Sequence, residues 1–155
     1  MRVQHNKQMR IWAMLCHFSA LLAWLILFAV VLSGIPLFLP LNILAPLLIW
    51  KLRKFKYPWV DFQGRESLNF QISLTFYIVV VIVISLLLVL ASCSVAVTTN
   101  GEINQVSEVL DSLILIWMSF TIGLVLLQLF LVTFAATKAY NGEHYRYPFT
   151  MRFLR

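Results

Sequence analysis

Apolar and polar positions segregate along this chain into long blocks. Four apolar runs, Ile11 to Ser33, Leu37 to Trp50, Leu68 to Val97 and Leu113 to Thr137, are separated by polar stretches. Runs of about 18 or more apolar residues read as membrane-crossing helices, and the first, third and fourth runs reach that length. The second carries Pro40, Asn42 and Pro46 and covers roughly 21 Å at the helical rise, short of a hydrocarbon core of about 30 Å. Gly34 and Pro36 break the first run, and Asn100-Gly101 is a turn signal in the polar, acidic link TTNGEINQVSEVLD. Lys138 followed by Asn141-Gly142 is a helix stop.

The pattern predicts an all-α, polytopic membrane protein. It is expected to be a four-helix transmembrane bundle with a short second span, forming one transmembrane domain over residues 1–155. Composition agrees. Of 155 residues 61% are hydrophobic and 12% charged, with a mean hydropathy of +0.88. A soluble domain of this length has too little interior to hide that much apolar surface. The opening MRVQHNKQMR resembles the start of a signal peptide. The run that follows is longer than an h-region of about 7–15 residues, so it reads as a retained first span.

Charge orients the spans. The formal charge is +6, but the cations sit at the ends of apolar runs, which points to membrane anchoring and away from nucleic acid. If all four runs cross, Arg2, Lys7 and Arg10 share one side with Lys51, Arg53, Lys54, Lys56 and Arg65 and with Lys138, Arg146, Arg152 and Arg155. These are all 12 Lys and Arg of the chain. The opposite side carries only Glu102, Glu108 and Asp111. Were the second run not to cross, the cations would divide nine to three. The positive-inside rule favours the undivided arrangement, with both termini cytoplasmic. The short span is then accommodated by local thinning of the bilayer or by snorkelling of Lys51 and its neighbours. Cys16 and Cys93 fall near opposite faces on this layout, about 20 Å apart in depth, too far for a disulfide.

Two polar constellations follow. His17, Asn69, Gln71 and Gln128 lie inside apolar runs, where an unpaired polar group costs several kcal/mol. All four fall in the cytoplasmic half of the spans, so hydrogen bonds among them are expected, as a structural cluster or as the lining of a polar path. The second constellation is a basic, aromatic face for lipid or a partner: Lys51, Arg53, Lys54, Lys56, Asp61, Gln63, Arg65 and Glu66 with the tail 143–155. In that tail Tyr145, Tyr147, Phe149 and Phe153 alternate with Arg146 and Arg152. Period two implies an extended strip with one aromatic side, expected to lie along the interface beside the 51–56 loop. No metal-ligand spacing, nucleophile elbow or phosphate loop occurs, so no catalytic residue, metal or cofactor is assigned and the chain is read as a non-enzyme.

Four blocks carry a family resemblance: WAMLCHFSAL (12–21), APLLIWKLRK (45–54), PWVDFQGRESLNFQISLTFY (58–77) and ATKAYNGEHYRYPFTMRFL (136–154). They resemble, in order, the small bacterial four-helix membrane proteins of unknown function that are related to the chloroplast Tic import component and to the magnetosome proteins MamF and MmsF. Ala45 replaces a common glycine, and the 98–111 link is long. The resemblance implies a multi-pass protein of the bacterial cytoplasmic membrane. It is consistent with a non-enzymatic scaffold or assembly factor, or alternatively with a subunit of a channel or translocon-like complex. The partners expected are anionic lipid headgroups and a protein partner or further copies of the chain.

Overall fold

The computed structural model describes residues 2–33, 40–98 and 103–154. Four helices account for most of them: α1 (Arg2–Leu32), α2 (Leu41–Arg53), α3 (Pro58–Thr98) and α4 (Ile103–Asn141). No strand occurs among the described residues. The expected break at Gly34 and Pro36, the start of the second run at Leu37 and the turn at Asn100-Gly101 lie outside them. Among the described residues, three helical segments are long and apolar enough to cross a membrane: Lys7–Leu27, Pro58–Ser94 and Ser107–Asn141. The fold is that of an all-α, polytopic membrane protein.

α3 begins ten residues before the apolar run does. Pro58 occupies its first helical position, where the missing N–H costs nothing, and Asp61 in the first turn complements the helix dipole. The polar stretch Asp61 to Glu66, which precedes the apolar run, is therefore helical. At the helical rise α3 is roughly 60 Å long, about twice a hydrocarbon core. α4 likewise begins earlier than the apolar run, at Ile103. Its end is as expected: Gly142 has φ +83°, its N–H reaches the Ala139 carbonyl, and the Glu143 N–H reaches the Lys138 carbonyl at 2.9 Å. That pair of bonds is a Schellman stop.

The chain divides into two compact units. One comprises Met1–Leu74 and Leu129–Arg155, the other Thr75–Gln128. In the second, the outward surface is hydrocarbon: Leu86, Leu87, Leu90, Leu115, Ile116 and Leu126 are exposed, as suits side chains facing lipid tails. Its two helical segments are joined by a hydrogen bond from Trp117 Nε1 to Ser85 Oγ at 2.9 Å. Cys93 is exposed there, Cys16 is buried in the other unit, and both are free thiols.

The first unit holds the buried core, and contacts along α3 fix its helix directions. Gln8 meets Tyr57, while Cys16 and His17 meet Ser67 and Gln63, so α1 runs with α3. Trp50 meets Asp61 and Asn42 meets Gln71, so α2 runs against it. Trp59 donates to the Ala139 carbonyl while Phe70 packs with Val132, so the last turns of α4 also run against α3. Directions alternate. Small residues make this close approach practicable: Ala13, Cys16 and Ala139 pack around Tyr57 and Val60.

α2 and α3 approach closely at Gly64. A methyl group there would lie 2.5 Å from Trp50 Cδ1 and 2.9 Å from Cγ, inside van der Waals contact. Gly64→Ala is expected to lower stability by about 1–3 kcal/mol, the usual cost of overpacking. Thermal unfolding in detergent checks this, and the same substitution should cost little in a Trp50→Ala background.

Candidate functional site

The polar residues of α3 are distributed over three stripes of one helix, each facing a different neighbour. Asp61, Gly64 and Gln71 face α2: Trp50 Nε1 donates to Asp61 Oδ1 at 2.9 Å, and Asn42 Nδ2 donates to Gln71 Oε1 at 3.4 Å. Val60, Gln63 and Ser67 face α1, where Ser67 Oγ donates to the Cys16 carbonyl at 3.0 Å. Asn69 and Ser73, one turn apart, face the chain after α4. Residues 67–71 are consequently buried without interruption.

His17 is the junction of the α1 side, fully buried. Its Nε2 lies 3.1 Å from Gln63 Oε1 and its Nδ1 2.9 Å from the Tyr147 hydroxyl. Gln63 Nε2 donates to the Glu143 carbonyl at 3.2 Å, which turns its Oε1 toward His17. Because Oε1 only accepts, Nε2 of the imidazole must carry the proton, and Nδ1 then accepts from the tyrosine O–H. Burial, helped by Tyr145 and Glu66, pushes the Tyr147 hydroxyl well above the ordinary tyrosine pKa, so it remains the donor this chain of bonds requires. The Tyr147 ring stacks on Phe70 at 4.2 Å between centroids.

The segment after α4 forms a strap along α3. Asn69 holds its end in three bonds: Oδ1 accepts from the N–H of Phe153 at 3.1 Å and of Leu154 at 2.8 Å, and Nδ2 donates to the Leu154 carbonyl at 3.0 Å. The carboxamide thus does the work of a neighbouring strand's peptide group. Ser73 Oγ accepts from the Met151 N–H at 2.8 Å and donates to the Asn69 carbonyl at 2.7 Å. At the root of the strap His144 packs edge-on against Trp59 and Phe62.

These contacts place the residues singled out from sequence. His17, Asn69 and Gln71 are buried; His17 bonds to Gln63 and Tyr147, Asn69 to the strap and Gln71 to Asn42. Gln128 is buried too and belongs to the second unit. Gln63, read as part of the exposed face, is inside. In the tail Tyr147 is buried while Phe149 is 90% exposed. Phe149 adopts φ +58°, a left-handed conformation that breaks the period-two alternation, so the aromatic side chains do not share one side. Lys51, Lys56, Arg146, Arg152 and Phe153 are exposed. Arg53 lies over the Trp12 ring at 4.0 Å and Lys54 over Trp50 at 4.3 Å. Arg65 pairs with Asp61 at 2.7 Å. Sequence reasoning noted Asn42 only for its flanking prolines and missed Ser73. The usable signal was spacing: Phe62, Glu66, Asn69 and Ser73 follow a helical stripe.

Fold and site together define a multi-pass, all-α membrane protein whose polar end is closed by its own C-terminal strap. A family model described as the magnetosome magnetite crystal formation protein family, MamF_MmsF, matches residues 8–154, and the chain belongs to that family. No curated protein and no solved structure matches it.

Proposed function

We propose that the protein is a non-enzymatic membrane scaffold or assembly factor that presents its basic, aromatic end to anionic lipid and to a protein partner or a second copy. The observation that carries this reading is the division of labour among its polar groups. Those in the interior, His17, Gln63, Asn69 and Ser73, are engaged in holding helices and strap together. What the same end exposes is cations and aromatic rings: Lys51, Lys56, Arg146 and Arg152 with Phe55, Phe149 and Phe153. Aromatic rings favour the headgroup zone, and each cation near an anionic leaflet adds about 1 kcal/mol of attraction. The family's description ties its members to magnetite crystal formation, and a membrane scaffold is the form of that role that this reading extends to the chain.

In this reading the chain is a single transmembrane domain with spans near 11–33, 37–50, 68–97 and 113–137. It sits in the bacterial cytoplasmic membrane with both termini cytoplasmic. The alternating helix directions support the second crossing. Cysteines placed at residues 54 and 101, with Cys16 and Cys93 replaced, should be labelled oppositely by an impermeant reagent in intact cells: 101 reacts and 54 does not. The reverse pattern contradicts the orientation. The scaffold reading itself is checked with a photo-crosslinking residue at position 55, 149 or 153. It expects a reproducible adduct with one protein species or with a second copy, and lipid adducts alone at all three positions would overturn it.

A further inference from the structure

Beside the strap, the first turns of α3 leave a cleft of about 480 Å³ lined by Phe62, Arg65, Glu66, Arg146, Arg152 and Leu154. Its lining carries three guanidinium groups and one carboxylate, with Asp61 beside Arg65 as a second, so a net positive charge remains. All three guanidinium groups line the same cleft as Glu66, so they converge on one place. Arg65 is positioned by Asp61, one turn back. The two strap arginines are set in immobilised backbone. Arg146 adjoins Tyr147, which is tied to His17. Arg152 lies between Met151, whose N–H is held by Ser73, and Phe153, whose N–H is held by Asn69. A ligand therefore meets guanidinium groups whose main chain needs no further ordering, which removes part of the usual cost of binding.

We propose that this cleft binds the phosphate of one anionic phospholipid headgroup, with Arg65, Arg146 and Arg152 as its donors and Phe62 and Leu154 against the glycerol and upper acyl chain. The planar fork of arginine suits bidentate contact with phosphate oxygens, and the volume lies within the usual range for small-ligand sites. The apolar walls select a lipid over a free phosphate ester, which shares the phosphate but has nothing to lay against Phe62 and Leu154. Glu66 opposes the anion and limits affinity. The proposal rests on the reading that this end of the protein faces anionic headgroups.

The test titrates the full chain in neutral detergent with phosphatidylglycerol, with phosphatidylcholine and with soluble glycerol phosphate, and reads bound ligand by native mass spectrometry. Wild type should prefer phosphatidylglycerol over both. Arg146→Gln with Arg152→Gln should weaken it about tenfold or more, equivalent to one charge-assisted bond or better, whereas Lys51→Gln with Lys56→Gln should change it less than about twofold. Glu66→Gln should tighten binding severalfold, a direction that misfolding cannot produce. Equal losses in both double variants would overturn the cleft while leaving a diffusely basic face. Glycerol phosphate binding as tightly as lipid would overturn the lipid assignment. No preference for phosphatidylglycerol in wild type would overturn the cleft and the lipid-facing reading together.

Discussion

Replacing His17 with leucine should destabilise the protein by about 2–4 kcal/mol, more than any other single polar-to-apolar change in the chain. The substitution fills the space but strands two partners. The Tyr147 hydroxyl loses its acceptor and the Gln63 carbonyl oxygen its donor, in surroundings closed to water. Each abandoned buried group costs about 1–3 kcal/mol. Interhelical hydrogen bonds in membranes average only about 0.6 kcal/mol, because the unfolded chain in lipid also finds partners. His17 should exceed that average because its ring joins α1 to both α3 and the strap. Tyr147→Phe removes only one link and keeps the stack on Phe70, so it should cost about 1 kcal/mol. In a double-mutant cycle the two changes should be clearly non-additive. Unfolding in mixed detergent micelles gives all four corners of the cycle, and additive losses would show that the bond between them carries no energy.

Asn69→Leu should release the strap at a cost of about 1–3 kcal/mol, since it deletes three hydrogen bonds at once. The readout is local. Trypsin should cut after Arg146 and Arg152 much faster in the variant than in wild type, while α1 to α4 keep their helical signal. Ser73→Ala, which removes one strap bond and the local bond to the Asn69 carbonyl, should give an intermediate rate. An unchanged cleavage rate in Asn69→Leu would mean that the strap is held by its aromatic contacts alone.

The apolar runs made the number and order of the helices legible, because the length of an uninterrupted hydrocarbon stretch is itself the physical requirement for crossing a bilayer. Their starts were less legible. α3 begins at Pro58 and not near residue 68 because its first turns pack inward against other helices, where hydrogen-bonding residues are as admissible as apolar ones. His17, Asn69 and Gln71 were found for the right reason, the cost of a polar group inside an apolar run. The partners of His17 and Asn69 were not found, since these depend on the rotation of each helix. Gln71 turns to α2, Gln63 to α1 and Asn69 to the strap; the helical period separates these three stripes but does not say which neighbour each one meets. The tail shows a different limit. Its alternation of aromatic and cationic residues is real, but Phe149 turns left-handed and reverses the strip, so Tyr147 goes inside and Phe149 outside. A partner offered by side chains, the Asn69 carboxamide and the Ser73 hydroxyl, leaves no strand pattern to read.

The strap is a built part of the protein and not a loose end. Hydrogen–deuterium exchange of the full chain in lipid nanodiscs tests this directly. The amides of Met151, Phe153 and Leu154 should be protected in wild type, with protection lost in Asn69→Leu. Exchange of these amides in wild type at the rate of an unstructured peptide would contradict the account.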